Sequence, residues 1–207
     1  MSAVVLYGPP TSGKDTVTAV LQAVDPRFRL VTKLKQGSGR STGYRFVSAE
    51  ELESLRRQNR IVVETRRYGN IYAVDRQSLT KPQDRGLVPV THIGNVADMR
   101  TLLSGAQVQW LRVLLWVPRD VCETRSRQRG DTDTAKRLTA WDETAQDLLG
   151  SDLRNLFDLV VRTDRSDAER TAKDIAAAVD RAPQAVHPED LLATLGLDPG
   201  PPARAHM

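Results

Sequence analysis

Gly8-Pro9-Pro10-Thr11-Ser12-Gly13-Lys14-Asp15 is the stretch on which the fold turns. It follows Ala3 to Tyr7, an apolar run with β-branched residues that reads as a buried strand. It precedes a helical pattern in which Val17, Val20, Leu21 and Val24 recur on one face, ending before Asp25-Pro26, where proline disfavours helix. Strand, glycine loop and helix in this order let backbone N–H groups curl around phosphate oxygens, while the helix N-terminus adds partial positive charge. The stretch matches the GxxxxGK core of the Walker A pattern, with Asp15 where Ser or Thr normally stands. Gly8, Thr11, Ser12 and Gly13 are therefore expected to cradle the phosphates of ATP, and Lys14 to neutralise charge between its β- and γ-phosphates. A carboxylate at Asp15 can hold Mg²⁺ directly or through water, and Thr16 offers a neighbouring hydroxyl.

Outward from the loop, Phe28 to Thr32 reads as a second strand, and Gln36 to Gly43 as a glycine- and serine-rich loop. Ser48 opens a helix through a capping-box spacing to Glu51, with Leu52 and Leu55 on one face. Ile61 to Glu64 and Asn70 to Val74 read as short strands joined by a turn at Tyr68-Gly69. Core strands are expected at Gly86 to His92, Trp110 to Val117 and Leu159 to Val161. Helices are expected at Val96 to Leu103, Arg119 to Arg129, Asp133 to Leu149 and Ala168 to Arg181. The alternation predicts an α/β fold: a parallel sheet flanked by helices on both faces. One domain over 1–182 is expected, with a small mixed insert over about 33–76 and an arginine-rich lid over about 125–137. Residues 183–207 read as a proline-rich tail with one short helix at Glu189 to Leu195.

The 207 residues carry a formal charge of +4, and the excess is local: residues 27 to 76 hold twelve Lys or Arg against five Asp or Glu. Such a field attracts anions, among them phosphorylated small molecules, although a solvated basic face reads the same way. The single cysteine, Cys122, leaves no intramolecular disulfide to form, and His92, His187 and His206 make no Cys/His metal cluster. A reducing, cytoplasmic setting is expected, with no membrane anchor, since Ala3 to Tyr7 is too short to span a bilayer.

Four further segments carry a resemblance. Tyr44-Arg45-Phe46-Val47-Ser48-Ala49-Glu50-Glu51-Leu52 is similar to the Y-x-F-V-S-x-E-E-F segment of guanylate kinases, and Gly69-Asn70-Ile71-Tyr72 to their G-N-x-Y. Arg125-Ser126-Arg127-Gln128-Arg129-Gly130, with Arg137-Leu138, resembles their lid, and Phe157-Asp158-Leu159-Val160-Val161 the strand that follows it. With the loop, these matches fall in the family's order and cover about residues 4 to 180. The resemblance implies a P-loop nucleoside-monophosphate-kinase-like fold with an acceptor-binding insert, and ATP and Mg²⁺ as cofactors. It implies that Arg125, Arg129 and Arg137 close over ATP and the γ-phosphoryl group with Lys14. It also implies that Tyr44 and Tyr72 contact the acceptor's phosphate, and that Glu64, one residue out of the usual spacing, reads a base edge. Half-buried strand aromatics account for the tyrosines equally well, and a solvated strand end for Glu64.

The chain departs from the family on the acceptor side. Where guanylate kinases read T-T-R-x-x-R-x-G-E, this sequence has Thr32-Lys33-Leu34-Lys35-Gln36-Gly37-Ser38-Gly39-Arg40. Lys33, Lys35 and Arg40 keep positive charge for the acceptor, but a lysine cannot reproduce a bidentate arginine clamp. The family's D-x-Q-G is replaced by Thr91-His92-Ile93-Gly94-Asn95. His92 ends a core strand, where open α/β sheets place their ligands, so it is either an acceptor contact or a structural histidine. Asp15 also resembles the G-K-D loop of the related ribose 1,5-bisphosphate phosphokinases. The reading is phosphoryl transfer from ATP to a small phosphorylated acceptor, such as GMP, another nucleotide or a sugar phosphate. A noncatalytic guanylate-kinase-like interaction module is the alternative; a nucleic-acid-binding protein ranks last, because no recognisable motif supports it. Homodimer formation stays open.

Overall fold

The computed structural model describes residues 2–39, 41–67, 69–182 and 184–198. Arg40, one of the residues expected at the acceptor, and Tyr68 of the expected turn lie outside them. Strands β1 (Ser2–Tyr7), β2 (Phe28–Leu30), β7 (Val88–Ile93), β8 (Gln109–Trp116) and β9 (Leu159–Arg162) form one sheet in the order β2-β7-β1-β8-β9. Every pairing in it is parallel. Helices lie on both faces, as the alternation predicts.

The central strand explains why its sequence is apolar without interruption. Ala3, Val5 and Tyr7 face a core shared with α4 (Val96–Gly105), α6 (Thr134–Leu149) and α8 (Pro188–Leu195). Val4 and Leu6 face a second core built with α1 (Lys14–Val24) and α7 (Ala168–Val179). A strand covered on both sides has no position at which a polar residue would meet water. Tyr7 closes the strand with its hydroxyl donating to Asp147 Oδ2 at 2.8 Å, and the same oxygen accepts from Val96 N at 2.7 Å. The polar end of a buried ring thereby ties β1, α4 and α6 at the edge of the site.

The insert is a second, four-stranded sheet in the order β4-β3-β6-β5, formed by β3 (Lys33–Gln36), β4 (Tyr44–Phe46), β5 (Ile61–Arg67) and β6 (Asn70–Asp75). Strands β3 and β4 pair parallel, whereas β3–β6 and β5–β6 are antiparallel, so the sheet is mixed. Helix α2 (Ala49–Arg57) covers it with Leu52 and Leu55 against Leu34 and Ala73. Its N-cap forms as the spacing predicts, Ser48 Oγ accepting from Glu51 N at 3.1 Å.

Three elements escape pattern reading: β3, β4 and α3. β3 is four residues of Lys-Leu-Lys-Gln, too short and too charged to show a period, and is made a strand by pairing on both sides. Helix α3 (Arg76–Gln83) buries a single apolar side chain, Leu79, and contains Pro82; Asp75 starts it by accepting from Gln77 N at 3.1 Å. Helix α5 (Arg119–Gln128) completes the set. The short helix expected at Glu189 to Leu195 forms as α8, and it packs into the core: Leu191 and Leu195 are buried, and Leu195 O accepts from Trp116 Nε1 at 3.1 Å.

Candidate functional site

The loop between β1 and α1 takes its shape from three residues with positive φ: Gly8 at 151°, Thr11 at 59° and Gly13 at 88°. Gly8 admits no side chain, since a Cβ there would lie 2.1 Å from Leu115 O on the neighbouring strand. Thr11 holds a left-handed conformation unusual for a threonine, and such local strain concentrates where geometry serves a ligand. Lys14 folds back over the loop, its Nζ donating to Gly8 O at 2.7 Å, Pro9 O at 2.8 Å and Ser12 Oγ at 3.3 Å. Burial pushes this ammonium down to about 8; Asp15 opposes the shift, while Lys33 and Arg67 add to it.

Two cavities open on either side of the loop. The larger, of about 530 Å³, is lined by Gly8, Lys14 and Asp15 from the loop and by residues of the insert and of β7. The smaller, of about 190 Å³, lies between Gly13, Thr16 and the arginines Arg125 and Arg129 at the end of α5, with Thr163, Ser166 and Asp167 closing it. Asp15 and Thr16, paired in the sequence reading as Mg²⁺ ligands, thus line different cavities, because consecutive helical residues point about 100° apart. Asp15 keeps an exposed carboxylate beside Lys14. One carboxylate in open space fits Mg²⁺, which keeps water and phosphate oxygens as its other ligands. Among the described residues no three His, Cys, Asp or Glu side chains gather into a metal cage.

Of the arginines expected in a lid, Arg125 donates to Thr11 O at 3.2 Å and to Thr163 Oγ1 and O at 3.0 and 2.6 Å, which couples α5 to the loop and to the end of β9. Arg129 caps α5 and reaches the smaller cavity. Arg137 is held by Asp131 and Asp133 at 3.1 and 2.9 Å. Arg127 points into solvent and pairs with Glu123.

On the other side, Lys33, Tyr44, Tyr72 and His92 all line the larger cavity. Lys33 donates to His92 O, and burial pushes its ammonium down to about 8. The rings of Tyr44 and Tyr72 stand 5.3 Å apart. His92 Nε2 is 2.8 Å from Thr18 Oγ1 and its Nδ1 is 3.5 Å from Asp15 Oδ1, so the histidine ties β7 to the first turns of α1. Lys35 does not line the cavity. Its ammonium is buried under the tyrosines, 5.2 to 5.6 Å from the ring centres of Phe46, Tyr44 and Tyr72. Glu64 is also outside the lining: it accepts from Arg56 Nε and Nη2 at 2.8 and 2.7 Å and pairs with Arg66 at 3.2 Å. Sequence reading missed Arg67, Thr65, Thr42 and Thr18 in the larger cavity and Thr163, Ser166 and Asp167 in the smaller one. None stands in a motif; tertiary packing alone brings them to the site.

The fold defined by this sheet order, loop and insert is that of the guanylate-kinase-like P-loop proteins. The chain is similar in structure to guanylate kinase from Anaplasma phagocytophilum, at 20% identity and a TM-score of 0.61, over 93% of this chain and 94% of that one. It is similar also to the protein APE1195, at 15% identity and a TM-score of 0.50, over 88% of this chain and 96% of that one. No family model and no curated protein matches the sequence.

Proposed function

We propose that this chain is an ATP-dependent phosphotransferase, with the smaller cavity on the donor side and the larger one receiving a small phosphorylated acceptor. The observation that carries the reading is the position of the loop, whose Lys14 faces one cavity while Gly13 and Thr16 face the other. Phosphoryl transfer asks for two substrates meeting at one cluster of positive charge with little covalent work from the protein. The likeness in fold to a guanylate kinase supports reading the chain as a phosphotransferase.

ATP would lie with its phosphates on the loop amides and Lys14, and with Arg125 and Arg129 beside it. Mg²⁺, held through Asp15 and the phosphates, would supply charge neutralisation when bound. GMP is disfavoured as acceptor, because Glu64, the carboxylate expected to read its base, is bound to Arg56 and Arg66 outside the cavity. Among the described residues that line the larger cavity, Asp15 is the only carboxylate. Incubation with Mg·ATP and a panel of nucleoside monophosphates and sugar phosphates, with ADP release as readout, tests the proposal. Release with one acceptor is expected, and Lys14→Ala should lower it at least about a hundredfold, the scale of losing a transition-state contact. Full activity in that variant, or the absence of both ATP binding and ADP release in the wild type, would refute it.

A further inference from the structure

Resting on the larger cavity as the acceptor side, we propose that Arg67 is the bidentate ligand of the acceptor's phosphate, with Glu143 as the counter-ion it gives up on binding. Arg67 ends β5 and lines the same cavity as Gly8, Lys14 and Asp15. Its neighbours there are a threonine, Thr65, and Gly94 at the end of β7. Gly94 leaves the room the guanidinium uses: a Cβ there would stand 3.3 Å from Arg67 Nη1. The side chain is held in place by a 3.0 Å pair from Nη2 to Glu143 Oε2 on α6.

Chemistry singles out this residue among the cavity's cations. Lys14 is folded onto three loop acceptors, and Lys33 onto the carbonyl of His92. A lysine in either place offers a point charge, whereas arginine presents two parallel N–H groups matched to a phosphate edge. Neither Lys33 nor Lys35 can supply that fork; Arg67 can, from a different strand. Glu143 is an exchangeable partner. The pair is 35% exposed on the arginine side and 63% on the glutamate side, so water screens it and a doubly charged phosphate competes well. The charge of Arg67 also reaches the loop, since it is one of the groups that lower Lys14.

The test follows the side-chain Nε–H signal of Arg67 by ¹⁵N NMR, identified by its loss in Arg67→Lys, as inorganic phosphate is added at constant ionic strength. A saturable shift is expected, and in Glu143→Gln its midpoint should fall by about threefold, the size of a partly exposed ion pair. A signal that does not move, a midpoint unchanged in Glu143→Gln, or phosphate that perturbs only the loop amides would overturn the assignment. ATP binding, measured on the same samples, separates the two proposals. A chain that binds no ATP yet shows the Arg67 titration loses the kinase reading and keeps the phosphate site.

Discussion

Gly8 and Gly13 occupy the same loop, yet they need glycine for different reasons. At Gly13 only the backbone angle is at stake, because a Cβ there meets nothing within 4 Å. Gly13→Ala should cost about 1 kcal/mol. At Gly8 a Cβ would strike the backbone of Leu115, which has nowhere to go in a central strand. Gly8→Ala should cost about 3 kcal/mol or more and distort the loop, and urea unfolding of both variants would show the gap. Lys33 yields a prediction about pH. Its ammonium is pushed from 10.5 down to about 8, chiefly by burial, with Asp98 opposing. Between those values the unfolded chain holds more protons at this position than the folded one, so the lysine makes stability rise with pH from about 8 to 10.5. Lys33→Met should flatten that rise, measured as the difference between the two proteins' unfolding free energies across the same range.

At the scale of elements, the insert depends on α2 and the strands it covers. Ser48 satisfies the first turn of α2, and only Leu52 and Leu55 anchor the helix below it. Ser48→Ala should destabilise the protein by about 1 kcal/mol, and Ser48→Asp should retain most of the stability, as thermal unfolding would show. This N-cap is legible because both partners lie within one turn. Helix α3 is not, because its start depends on Asp75 at the end of a strand and its only apolar anchor is Leu79. The Phe157 to Val161 motif, read as a strand, also has a structural duty. Asp158 accepts from Arg112 N and Nε at 2.8 Å each, which locks β9 onto β8.

Across the whole molecule, the sheet divides the core in two, and the face bearing Tyr7 and Trp116 is finished by α8 from the far end of the chain. Leu191→Ala should therefore cost about 2–5 kcal/mol, as a core truncation does, although the residue lies in a segment that reads as a tail. Urea unfolding followed by tryptophan fluorescence would check it, since α8 bonds Trp116. The candidate site is arranged at the same scale: the loop stands at the C-terminal end of β1, between a cavity bounded by β3 to β6 and one bounded by the end of α5. Among the described residues no helix is long and apolar enough to cross a membrane.

The sequence by itself determined the loop, the parallel sheet and the order of its motifs, because each rests on local backbone chemistry or on a short hydrophobic period. It also placed Lys33, Tyr44, Tyr72 and His92 in a group that the fold gathers at one cavity. Only the tertiary structure separated Asp15 from Thr16, sent Glu64 to Arg56, buried Lys35 beneath three rings and brought Arg67 across from β5. The reason is physical: a motif records spacing along the chain, whereas the partner a charge selects depends on which strands pair and which helix face turns towards it.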